Sequence, residues 1–169
     1  YTSLQEIKDK LRSGMEQALK REIEDTYKDT IIKRLVETHH FDLPETLVER
    51  ELEAIIRQHV QQQQRKEGAQ EAPGTEDLTS LRQEHRNEAA RRVKLGLVLE
   101  TIAEKEGLAV TQDDFNAEIV RLASELKMPV ADLVKMVKTG GQESIDELRA
   151  RILEGKALDF VYRNAVIQG

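Results

Sequence analysis

The stretch Arg91–Thr111, RRVKLGLVLETIAEKEGLAVT, decides the fold. Its centre, Val93 to Leu99, is apolar except for Lys94 and lies inside an otherwise strongly polar chain. Leu78, Leu81 and Ala89 lead into it at helical spacing, and Gly107 offers the left-handed position that ends a helix. A helix that is apolar on nearly every side has to be covered by other helices. The segment is therefore expected to be the central post of the fold, with long polar helices leaning on it.

Upstream, Ser3 and Glu6 have the spacing of a capping box, and no proline occurs before Pro44. Leu4, Ile7, Leu11, Met15, Leu19, Ile23, Tyr27, Ile31 and Leu35 form an apolar stripe that predicts one long helix over about 3–38. Acid-before-base pairs such as Glu24–Lys28 and Asp29–Lys33 add a few tenths of a kcal/mol each. After the turn at 39–43, Pro44 suits a first helical position. Leu47, Val48, Leu52, Ile55, Ile56 and Val60 then mark a second helix. Its end runs into glutamines and a Gly/Pro-bearing stretch, so a helical hairpin over about 44–106 is expected around an exposed loop at 67–75.

Downstream, Thr111 and Asp114 repeat the capping logic, and Ile119, Leu122, Ala123 and Leu126 line a fourth helix. Met128-Pro129 interrupts, Val130–Lys138 forms a short helix, and a last helix runs from Ser144 to about Ala165. No period-two alternation suggests a sheet, so the 169 residues read as one all-α domain whose C-terminal helical part covers about 111–166.

Composition bounds the shape and the function. Charged residues are 34% and aromatics 4%, with no tryptophan, and the mean hydropathy is -0.59. So thin a core predicts an elongated molecule, and the regular apolar spacing argues against disorder. The absence of cysteine excludes disulfides and thiolate metal sites. No apolar run reaches the length of a membrane span. A net charge of -6 disfavours nucleic acid and anionic membranes as partners.

The chemistry-bearing residues do not converge on an active site. His39-His40 beside Asp42 and Glu45 lacks further ligands at a fixed spacing, so no metal is expected. Gly155-Lys156 has no upstream glycine and is not a phosphate loop, which leaves ATP without support. Asp113 and Asp114 sit in a first helical turn, where the dipole favours acids. In Thr111–Lys138, which has a helix-break-helix outline, acids outnumber bases, so it suits packing better than DNA reading. The basic cluster Arg86, Arg91, Arg92 and Lys94 is interspersed with Glu84, Glu88 and Glu100 and reads as a salt-bridged face. What remains is apolar stripe in excess of what a small core covers. It marks a site for another chain, or else it packs within a dimer.

Three segments carry a family resemblance: Phe41–Glu51 (FDLPETLVERE), Arg91–Thr111, and Ile152–Phe160 (ILEGKALDF). In order and separation the chain resembles the C-terminal domain of trigger factor, the bacterial ribosome-associated chaperone. That resemblance implies an all-α, elongated body with projecting helical arms, of the trigger factor C-terminal or SurA-like kind. It implies a cradle that holds unfolded or nascent polypeptides without ATP or cofactor, in the bacterial cytoplasm. Ribosome docking and prolyl isomerisation belong in that family to other domains, whose motifs this chain does not show, so no enzyme activity is expected.

For such a role the candidate client-facing residues are Leu47, Leu52, Ile55 and Ile56 on the second helix, with Val130, Val134 and Met136 on the other arm. Flexible methionines such as Met136 adapt to varied clients. The alternative from another class is a structural or oligomerisation module whose stripes meet a fixed partner or a second copy.

Overall fold

The computed structural model describes residues 4–67 and 75–165. They form six helices: α1 (Leu4–Thr38), α2 (Glu45–Glu67), α3 (Thr75–Lys105), α4 (Gln112–Glu125), α5 (Val130–Thr139) and α6 (Gly141–Asn164). No strand occurs among the described residues. Ser3 of the expected first capping box, and 68–74 of the expected loop, lie outside the described residues.

The arrangement is extended. A folded monomer of 19.3 kDa exposes about 8,500 Å², whereas this chain exposes 13172 Å². The core is correspondingly divided into three small clusters. Val48, Leu52, Ile55, Ile56 and Ala89 seal α2 against α3. Ile119, Ala123, Leu133, Leu148 and Ile152 join α4, α5 and α6. Leu99, Ala103 and Ala157 bring α3 against α6, with Leu35 of α1 packed beside them. The full burial of Ala103 and Ala157 shows why small residues stand there: they let two helix backbones approach closely.

α3 is the post, touching α1, α2 and α6. Val98 and Leu99 of its apolar run are buried, and Val93, Leu95 and Leu97 are half-buried. Lys94, the one polar interruption, donates from Nζ to the Val36 carbonyl at the end of α1, 3.3 Å away. α3 ends as its sequence requires. Gly107 has φ +63°, Gly107 N–H donates to Glu104 O and Leu108 N–H to Ala103 O, which closes the helix in a Schellman turn.

Local sequence explains the other boundaries. The Pro44 carbonyl accepts from the Leu47 and Val48 amides, so proline stands just before α2 rather than in its first turn. At α4 the Thr111 hydroxyl accepts from the Asp114 amide, and the Asp114 carboxylate accepts from the Thr111 amide at 2.8 Å. α6 begins at Gly141, three residues before the expected start at Ser144, because the turn after α5 is confined to the glycine pair.

α1 touches the body only through its last third. Lys28 Nζ lies 2.7 Å from Glu24 and 2.5 Å from Asp159 on α6. It also stands 5.7 Å from the centroid of the Tyr162 ring. Burial alone would make Lys28 easier to deprotonate; the two carboxylates outweigh that and raise its pKa above the ordinary lysine value. Ahead of this anchor, every side chain from Gln5 to Ile23 is exposed.

Candidate binding surface

Three surfaces among the described residues gather several apolar side chains. The first is a groove of about 500 Å³ between α4, α5 and the start of α6, within the ~300–1,000 Å³ usual for ligand pockets. Its position is set by the α4 capping box and by Lys156 of α6, whose Nζ donates to Asp114 Oδ2 at 2.6 Å and to the Ala109 carbonyl at 2.8 Å. That ammonium and the Thr111 bonds hold the Asp114 carboxyl down at about 2. Phe115, Ile119, Val130, Val134, Val137 and Ile145 make the walls. Lys138 and Arg149 are the charged groups that line it, and no carboxylate does.

The second is a crevice of about 530 Å³ between the α2–α3 hairpin and α6. Leu47, Ala54, Val93, Leu97 and Leu153 are its apolar lining, and Arg50, Glu51, Arg92, Asp146 and Glu147 add charges of both signs. Arg50 and Glu143 face each other across it at 3.8 Å, both well exposed. Such a pair contributes little. Glu154 enters the crevice beside Gly96. Burial, reinforced by the negative charges of Glu51 and Glu100 and opposed by Arg151, raises its pKa above the usual glutamate value.

The third is α1. Ile7, Leu11, Met15, Leu19, Ile23 and Tyr27 are exposed, Leu11 and Met15 by 64% and 66%. Strict four-residue spacing explains why the stripe escapes the body. Each step advances about 40° around the helix, so between Leu35 and Ile7 the row turns by about 280°. Leu35 meets α3 and α6, while the residues before Tyr27 have rotated away.

The structure separates the residues expected to face a client. Val130, 43% exposed, and Val134 come together in the first groove. Met136, 59% exposed, lies on the same short helix outside the groove lining. Leu47 stands apart in the crevice, half-buried. Leu52, Ile55 and Ile56 require correction. They are exposed by 1%, 6% and 8%, because this face of α2 closes onto α3. They form the hairpin seam and leave little surface, the edge of Ile56 beside Leu78 and Arg82. The α1 row, by contrast, was legible as a stripe. Its four-residue period signals that it cannot stay on one packed face.

Many polar groups of the hairpin are engaged with one another, whereas His85 Nε2 is buried without a hydrogen-bond partner among the described residues. Arg82 and Arg86 pair with Glu49, Arg86 also with Glu45, and Arg92 with Glu51 and Glu88, so acids of α2 neutralise much of the basic cluster on α3. The His39 ring nitrogen lies 2.8 Å from the Leu35 carbonyl, closing the end of α1. His59 and His85 meet across the hairpin with ring centroids 5.2 Å apart and planes tilted by 60°, and His85 Nδ1 lies 3.2 Å from Glu88. Among the described residues no group of three His, Cys, Asp or Glu is placed to hold a metal, and no helix is long and apolar enough to cross a membrane.

Comparison with known proteins bears on this arrangement. Residues 3–163 match the family model described as bacterial trigger factor protein C-terminus. Trigger factor of Anaeromyxobacter dehalogenans is 32% identical over 166 residues, covering 98% of this chain. That of Bacillus cytotoxicus is 30% identical over 167 residues, covering 96% of this chain. The chain spans 38% of the length of each of these relatives. A solved structure of domains of trigger factor from Thermotoga maritima superimposes with a TM-score of 0.62 at 19% identity, covering 86% of this chain and 84% of the other. The fold is thus shared.

Proposed function

Since the chain belongs to the family of the bacterial trigger factor C-terminus, we propose that it is an ATP-independent chaperone module that binds unfolded or nascent polypeptides. The observation that carries this reading is the apolar surface left uncovered along α1, from Ile7 to Tyr27, together with the open groove at Val130 and Val134. Large exposed apolar patches mark interaction sites. Dispersed over several helices, these patches offer many weak contacts and no single shaped pocket, which suits guests of varied sequence. Interleaved charges keep the empty surface in solution.

In this reading Leu47, Val130, Val134 and Met136 touch clients, joined by the α1 row. The module acts without cofactor or catalysis, in the bacterial cytoplasm. Ribosome contact is made by parts of the longer relatives other than these helices. The alternative, an assembly module with one fixed partner or a second copy, uses the same exposed row.

Suppression of aggregation decides between them. Two unrelated denatured proteins are diluted into buffer with equimolar chain, and light scattering is followed. The chaperone reading expects both to be held in solution without nucleotide. Failure with both, accompanied by concentration-dependent dimerisation, would establish the alternative.

A further inference from the structure

The hairpin brings together two of the chain's four histidines, one from α2 and one from α3. The rings of His59 and His85 lie 5.2 Å apart between centroids and are tilted by 60°. The His85 side chain is 16% exposed, and His59 is half-buried. His85 Nδ1 lies 3.2 Å from Glu88 Oε2. A carboxylate only accepts, so this nitrogen carries the ring hydrogen, and in the neutral ring Nε2 presents a lone pair. That lone pair is buried and meets no donor among the described residues. Buried polar atoms are seldom left so, and an orphan of this kind asks for a partner.

Glu88 is itself fixed. Arg92 donates to it at 2.6 Å and to Glu51 of α2 at 3.2 Å. The bond to His85 first, and then Arg92, hold the Glu88 carboxyl below the ordinary glutamate value, against the opposing effect of burial. A carboxylate that grips one imidazole nitrogen fixes the tautomer and aims the other nitrogen, which is how histidine ligands of metals are commonly held. The ring spacing suits a shared ion. An ion about 2.1 Å from one nitrogen of each ring stands about 3.2 Å from each ring centre. Centres 5.2 Å apart then subtend about 110° at the ion, close to the tetrahedral angle.

We infer that His59 and His85 form a two-histidine site for a zinc-like divalent transition-metal ion, with Glu88 as the residue that positions His85. Water completes the coordination. Imidazole nitrogen selects zinc, copper or nickel, whereas calcium and magnesium take oxygen ligands. Bound there, the ion ties α2 to α3 by a link that side-chain packing does not supply. It braces the hairpin and lies outside the chaperone reading, which needs no ion.

The test titrates the 169-residue chain with zinc chloride by calorimetry. One ion per chain is expected, with no heat from calcium, and with a thermal midpoint that rises as zinc is added. His59→Gln and His85→Gln should each weaken binding at least tenfold, and Glu88→Gln by about tenfold. The double variant His39→Gln, His40→Gln removes the other two histidines and should bind as the parent does. Binding should fade on acidification, because ligating nitrogens must be free of protons. Circular dichroism checks each fold. Should His85→Gln not fold, His59→Gln and Glu88→Gln decide.

Absence of zinc binding would overturn the inference. So would binding undiminished in His59→Gln, or binding lost in the His39, His40 double variant. Zinc-driven association, read by light scattering, would also overturn it, since the ion would then lie between chains. Aggregation suppression is measured without zinc, so the chaperone reading stands or falls separately.

Discussion

The carboxylate of Glu154 lies directly over Gly96, so that a methyl group at Gly96 would stand 3.1 Å from Glu154 Oε1. Gly96 is inside α3, where glycine costs about 0.5–1 kcal/mol relative to alanine. The obstructing atom is the end of a flexible side chain, which can swing toward solvent. Gly96→Ala is therefore expected to stabilise the chain by about 0.5 kcal/mol in urea unfolding. A loss of stability would mean that Glu154 is held where it is.

The same carboxylate predicts a pH dependence. Its folded pKa is raised, chiefly by burial, so ionisation works against the fold. The associated stability is fully present below the ordinary glutamate pKa and is lost as pH rises through the folded value. Glu154→Gln should accordingly raise stability at pH 7, by about 0.5 kcal/mol, with the gain disappearing near pH 4. Thermal melts of both chains at the two pH values check this.

Asp114 behaves in the opposite sense. Its pKa is lowered to about 2 by Lys156 and the Thr111 bonds. It stabilises the fold above its ordinary value of 3.8, and that contribution is lost as pH falls through about 2. Lys156→Met should move the Asp114 titration upward toward the ordinary value, read by carboxyl carbon NMR, and advance acid unfolding to higher pH.

Lys127 ends α4 in the left-handed region, with φ 53°, and the Met128 amide donates back to Ala123 O. A side chain in that conformation costs about 1 kcal/mol. Lys127→Gly should increase stability by about that amount. An unchanged unfolding midpoint would contradict this account of the turn.

Core and surface apolar residues are distinguished by paired substitutions. Leu52→Ala should cost about 2–5 kcal/mol, as expected for a side chain sealed in the hairpin. The triple change Leu11→Ser, Met15→Ser, Leu19→Ser falls on exposed positions and should alter stability by less than about 1 kcal/mol while weakening aggregation suppression. Equal suppression by the triple variant would remove α1 from the client surface.

How much could be read from the sequence depended on whether local rules sufficed. Thr111 with Asp114, and Gly107 after Lys105, specify helix ends through bonds within a few residues, and the helices begin and stop there. The run Val93–Leu99 revealed a central helix because its apolar character exceeds one face. Which face meets which partner is a different matter. Leu52, Ile55 and Ile56 have the same spacing whether they meet α3 or a guest, and tertiary packing assigned them to α3. The α1 row shows the converse, an apolar stripe resembling core that meets nothing along most of its length. Lys138 and Arg149 are eleven positions apart and become neighbours of one groove only through the α5–α6 turn.

The footing of α1 has a mechanical consequence. Lys28 on Asp159, and Val36 on Lys94, fasten the helix at two points within its last eleven residues. About 35 Å of rod extends beyond Lys28, so a tilt of about ten degrees at the footing sweeps the free end through about 6 Å. Small repacking at one ammonium group thus acts as a fulcrum, setting the span over which the molecule reaches.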